Sequence, residues 1–136
     1  KKIPQNDFDF IIIDTPPYIF EEINALVKMA DLVVIPTQAS INDLLAIDKT
    51  VQIIKENEAI DRSIIVFNRI KSNSSLKDKL NANFLELEVP IANTIINDYD
   101  AITNSIITKG VESRHKASAQ LQNLTTELMT KLLSNG

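Results

Sequence analysis

Cysteine and tryptophan are absent from these 136 residues, and glycine occurs only twice, at Gly110 and Gly136. Without thiols, neither a disulfide framework nor a thiolate metal site can be built, which fits a reducing cytoplasm. Two glycines so far apart exclude a loop that cradles phosphates with closely set backbone N–H groups, so this chain by itself is expected to bind nucleotide poorly. With one histidine, His115, no His-metal cluster or conventional Ser-His-Asp triad is expected. No apolar run approaches the ~18 residues needed to cross a bilayer, and no signal sequence is expected. The net charge of −4, from 14 basic and 18 acidic residues, gives no general attraction for nucleic acid, so any such binding must come from a local patch.

What is present reads as one globular α/β domain over residues 1–136, 44% hydrophobic and 24% charged, with no repeat and no domain linker. The organising stretch is Phe8 to Pro17. Its apolar core, Ile11 to Ile13, is β-branched on consecutive positions, as expected of a parallel strand buried on both faces. Asp14 is then expected at the carboxyl edge of the sheet, where open α/β sheets bind ligands. Pro16 and Pro17 stop the strand. Taken alone, the run also reads as a buried strand with a capping Asp.

Helical spacing of Ile19, Ile23, Leu26, Val27 and Ala30 predicts a helix from about Phe20 to Met29. A second strand, Leu32 to Ile35, is expected to end at Pro36. Ser40 and Asp43 open a helix carrying Leu44, Ile47, Val51 and Ile54 on one face to about Asn57. A third strand, Ser63–Phe67, ends at Asn68-Arg69. Ser75 and Asp78 begin a helix with Leu76, Leu80, Phe84 and Leu87 inward, and Ile91 to Ile96 form a fourth, shorter strand. Asp98 is expected to cap a helix bearing Tyr99, Ile102 and Ile106, with Lys109-Gly110 as its stop. A last helix, about Ser113 to Leu133, presents Ala117, Leu121, Leu124, Leu128 and Leu132 inward. The expectation is about four strands and five helices, a largely parallel sheet with helices on both faces.

Three motifs in order, DFDFIIIDTPP, ADLVVIPTQASINDLL and IIVFNRI, resemble the ParA/MinD family of deviant Walker ATPases over nearly the whole chain. The resemblance implies a P-loop NTPase-like fold in which the first motif is the Walker B strand with switch II. It implies that Asp14 is catalytic and holds Mg²⁺ through water, that Thr15, Pro16 and Pro17 form the γ-phosphate switch, and that Asn68 reads the adenine edge. Asn68 also reads as a strand-terminating turn residue. Asn97 and Asp98 correspond to the loop lining the base, although the family often has a basic residue where Asn97 stands. The family's phosphate loop lies upstream of Walker B, and the chain begins at Lys1 just before that strand, so the sequence reads as the C-terminal part of a longer protein. In the family the phosphate-loop strand separates residues 8–13 from 32–35, so the chain by itself is expected to repack or self-associate.

The implied activity is Mg-ATP binding, homodimerisation and hydrolysis coupled to DNA segregation in the cytoplasm, with a ParB-like stimulating protein as partner. Lys77, Lys79, Lys109, Arg114 and Lys116 are the candidate contacts to non-specific DNA, or ordinary surface cations at helix ends. His115 reads as a solvated member of Arg114-His115-Lys116. MinD-type proteins end in a basic amphipathic helix, whereas Gln120 to Gly136 carries Lys131 as its only cation, which speaks against membrane association. The related tyrosine kinases end in a tyrosine cluster, and this chain has only Tyr18 and Tyr99. The alternative expectation is a non-enzymatic binding or dimerisation module derived from the same fold.

Overall fold

A computed structural model describes residues 8–16, 21–38, 41–71, 84, 86–105, 110–112 and 115–134. Among them, two strands and four helices form a small α/β unit. Strands β1 (Val33–Thr37) and β2 (Ser63–Phe67) pair in parallel, Val33 opposite Ser63 and Thr37 opposite Phe67. The ladder is bounded by Val33 N–H donating to the Arg62 carbonyl at 2.8 Å and Asn68 N–H donating to the Thr37 carbonyl at 2.7 Å. Residues 33, 35 and 37 thus direct their backbone groups toward β2, and Val34 and Pro36 direct theirs away. That register corrects the expected strand end. Pro36 lies inside β1 because its missing N–H falls on the side without a ladder bond, where proline is tolerated.

All five residues of β2 are buried. Its Ile65 and Phe67 join Ile35 in one cluster with Val27 of helix α1 (Ile23–Met29) and Ile47, Val51 and Ile54 of helix α2 (Ile41–Glu56). Ile64 and Val66 point the other way, with Ala92, against Leu124 and Leu128 of the C-terminal helix. An alternating strand between two layers explains the continuous apolar run IIVF.

Helix α2 ends as expected near Asn57, by a mechanism the sequence conceals. Glu58 takes a left-handed φ of 51°, its N–H donates to the Lys55 carbonyl at 3.1 Å, and Ala59 N–H reaches back to the Ile54 carbonyl at 2.9 Å. This is a Schellman stop with Glu in the place usually held by Gly. Arg62 Nη1 then donates to the Glu58 carbonyl at 3.2 Å.

The expected fourth strand is reduced to two isolated parallel bridges, Ile65 to Ile91 and Ile70 to Asn97. Between them the chain bulges. Ala92 N–H donates to the Ile65 carbonyl and Ile96 N–H to the Phe67 carbonyl, so four steps on one side oppose two on the other. Glu127 fills the gap, accepting the backbone N–H groups of Asn93 at 2.6 Å and Thr94 at 3.0 Å.

Helix α3 (Asp100–Thr103) is interrupted by a turn at Asn104, and Ile106 to Lys109 of the expected helix lie outside the described residues. Its N-cap is Tyr99 without a side-chain cap bond, and Asp98 turns to Arg69 instead. Gly110, at φ 132°, donates its N–H to the Ser105 carbonyl at 2.9 Å, a conformation that favours glycine. Helix α4 (Lys116–Ser134) buries Ala117 and half-buries Leu121, Leu124, Leu128 and Leu132, as the spacing predicts. Most of the expected 75–87 helix lies outside the described residues. Phe84, helical and 1% exposed, meets Phe67 edge to face at 5.2 Å between ring centroids.

The largest correction concerns the organising stretch. Residues 8–16 form no strand and are exposed throughout, Ile12 by 93%. Apolar side chains on consecutive positions can be buried only when a neighbouring strand and two covering layers receive them, and no described element pairs with this segment.

Candidate functional site

The carboxyl ends of β2 and of the neighbouring parallel segment bring together three of the residues singled out in the sequence: Asn68, Asn97 and Asp98. Asn68 leaves the ladder half-buried, and its carboxamide has no hydrogen-bond partner among the described residues. An amide so placed can donate and accept at once. Arg69 follows with a left-handed φ of 57°, a conformation costing a non-glycine residue on the order of 1 kcal/mol. The kink turns its Nε toward Asp98 Oδ1, 3.3 Å away, while Asp98 N–H donates to the Ile70 carbonyl at 3.1 Å. Both side chains of this ion pair are well exposed, so its contribution to stability is small.

Asn97 is tied down on three sides. Its Nδ2 donates to the Ile70 carbonyl at 2.9 Å, its N–H donates to Gln120 Oε1 at 2.9 Å, and its Oδ1 accepts from Gln120 Nε2 at 2.6 Å. These bonds fix the loop to β2 and α4 and leave Asn68 as the amide open to a ligand. Gln120 was not singled out in the sequence, nor was Glu127 for this role. Their signal was available: seven residues apart, they share the helix face of Ala117, Leu121, Leu124 and Leu128, where a polar side chain needs a polar partner.

Asp14, Thr15 and Pro16 stand on the exposed 8–16 segment, which forms no strand. No hydrogen bond or ion pair among the described residues joins Asp14 to residues 68, 97 or 98. Pro17, Lys77, Lys79, Lys109 and Arg114 lie outside the described residues. Lys116 is exposed at the first turn of α4, where the helix dipole gives a cation no local support. His115 is exposed beside it, accepting the Ala117 N–H on Nδ1 at 3.0 Å and meeting Tyr99 edge to face.

An open groove of about 550 Å³ runs between Ser105 and Gly110 on one side and Ser118 to Thr126 of α4 on the other. Three of its hydroxyls are turned onto their own backbone, Ser105 to the Ile102 carbonyl, Thr125 to the Leu121 carbonyl and Thr126 to the Gln122 carbonyl. Among the described residues there is no group of three or more acidic, histidine or cysteine side chains able to hold a metal, and no helix is long and apolar enough to cross a membrane. Comparison with family models and with curated proteins finds no match to this chain.

Proposed function

We propose that this chain is the Walker B-to-C-terminus portion of a ParA-type partition ATPase, with the sheet completed in the P-loop NTPase manner. The observation that carries the reading is the meeting of Asn68 with Asn97 and Asp98 at the carboxyl ends of two neighbouring parallel segments. An open carboxamide beside a rigid loop suits the donor and acceptor edge of adenine. The described residues offer no cradle for phosphates, and Asp14 belongs to no strand, so no hydrolytic step is assigned to them. In this proposal Mg²⁺ and the triphosphate are held by Asp14 together with a Gly-rich loop supplied by the rest of the ATPase. Homodimerisation, non-specific DNA binding, stimulation by a ParB-like protein and a cytoplasmic location belong to the same proposal.

Titration with adenosine, followed by amide NMR, tests the base-reading edge directly. Shifts confined to Asn68, Asn97 and Asp98 at millimolar ligand support it; no shift at these residues at saturating solubility rejects it. A second reading, a non-enzymatic binding module, is favoured by one observation, the occurrence of only two glycines. Measurable Mg-ATP hydrolysis by this chain would reject that module.

A further inference from the structure

Arg69 is held in a left-handed conformation, φ 57°, that disfavours a residue with a Cβ. The ion pair reached by that kink is exposed on both sides and contributes little stability against the strain. Strain kept without a stabilising return points to function where it occurs. Here it adjoins the open carboxamide of Asn68: Arg69 is the next residue, and its Nε donates to Asp98 Oδ1 at 3.3 Å. No other described side chain bonds the Asp98 carboxylate. Asp98 is itself fixed, its N–H donating to the Ile70 carbonyl at 3.1 Å.

We propose that Arg69 sets which purine this edge accepts, by occupying the Asp98 carboxylate, a role that rests on the base-reading edge of the proposed ATPase. The two purines make opposite demands on a carboxylate. Guanine presents N1–H and N2–H₂ side by side, two donors that match the two acceptor oxygens of a free carboxylate. Adenine presents the N1 lone pair there, which a carboxylate repels, while its N6–H₂ and N7 pair with a carboxamide such as that of Asn68. An unpaired Asp98 beside Asn68 therefore favours guanine. With the Arg69 guanidinium on Oδ1, one acceptor is occupied and the negative charge is balanced. Guanine then loses its bidentate partner, and adenine is no longer repelled. Arg69 is thus a positioning residue, selecting the base through Asp98.

The test is amide NMR titration of the chain with AMP and GMP, which share sugar and phosphate, so that only the base differs. The wild-type chain is expected to prefer AMP by about tenfold, read from shifts at Asn68, Asn97 and Asp98. Arg69→Gly, which suits the left-handed backbone and frees Asp98, should raise GMP affinity and lower AMP affinity until the preference is abolished or reversed. Arg69→Lys keeps the cation and should keep the AMP preference. Adding Asp98→Asn to Arg69→Gly should remove the gain for GMP. If Arg69→Gly loses its far-UV circular dichroism, Arg69→Asn, which also tolerates the left-handed region, takes its place. A wild-type chain shifted by neither nucleotide at these residues rejects the base-reading edge and the role of Arg69 with it. Equal binding of the two by the wild type, an AMP preference unchanged by Arg69→Gly, or a parallel loss of both nucleotides overturns the role of Arg69 alone. So does a wild-type GMP preference that Arg69→Gly removes, since Arg69 would then read guanine directly.

Discussion

Gln120 and Asn97 clasp one another through two hydrogen bonds, Asn97 N–H to Gln120 Oε1 at 2.9 Å and Gln120 Nε2 to Asn97 Oδ1 at 2.6 Å. The clasp joins α4 to the loop beyond the Ile70 to Asn97 bridge, and both residues are half-buried. Gln120→Ala leaves a donor and an acceptor without partners in a partly dry site, at an expected cost of about 1–2 kcal/mol. Gln120→Glu keeps the acceptor and loses the donor, so it should fall between. Urea denaturation measures both; a Gln120→Ala variant as stable as the wild type would show that the clasp carries no net energy.

Sequence pattern located β2, the body of α2 and the inward stripe of α4, because each buries a face whose period the residues repeat. It misplaced Phe8 to Ile13 for a physical reason. Hydrophobicity records what a side chain would gain by burial, not whether a neighbouring strand exists to receive it, and residues 8–16 find none among the described elements. Pro36 was misjudged in the same way, since proline ends a strand only where its missing N–H would have faced a partner. At the candidate site, the sequence pattern placed Asn68 at a strand end, and the roles of Asn68, Asn97 and Asp98 came only from the family resemblance, whereas the Arg69 to Asp98 pairing depends on a left-handed φ that no residue type there announces.

Glu127 should make stability depend on acid. Burial raises the pKa of its carboxyl, but the N–H donors of Asn93 and Thr94 outweigh burial and hold it below the ordinary 4.5. A carboxyl with a depressed folded pKa stabilises the fold above its unfolded pKa, and the contribution is lost as pH falls through the folded value. Stability of the wild type should therefore decline from about pH 5 downward. Glu127→Ala, which strands two backbone donors, should cost about 2 kcal/mol at neutral pH and flatten that decline. Denaturant midpoints at pH 7 and across the acid range check both; an unchanged acid slope in the variant would remove Glu127 from the account.

Glu58 offers a stabilising change. It holds the left-handed position of the α2 stop at φ 51°, where a Cβ is unfavourable and glycine is not. The Schellman bonds use its backbone alone, and its side chain is exposed. Glu58→Gly should raise stability by about 1 kcal/mol, less whatever glycine adds to the freedom of the unfolded chain. Thermal unfolding decides the sign: a fall in Tm would mean that unfolded-state entropy outweighs the relieved strain.

Phe84 is buried in the main apolar cluster against Phe67. Its ring is 1% exposed, packs edge to face on Phe67 at an interplanar angle of 83°, and joins the cluster containing Val89 and Ile70. Phe84→Ala removes a buried aromatic together with its partner's edge contact, an expected loss of about 3–5 kcal/mol. Because a domain of this size is stable by only about 5–15 kcal/mol, the variant should sit near its unfolding threshold at room temperature. Phe84→Leu keeps most of the volume and should lose only about 1–2 kcal/mol. Urea midpoints for the pair separate lost packing from lost ring geometry. Near-equal destabilisation by Leu and Ala would mean that the edge-to-face contact with Phe67, rather than the filled volume, carries the contribution of Phe84.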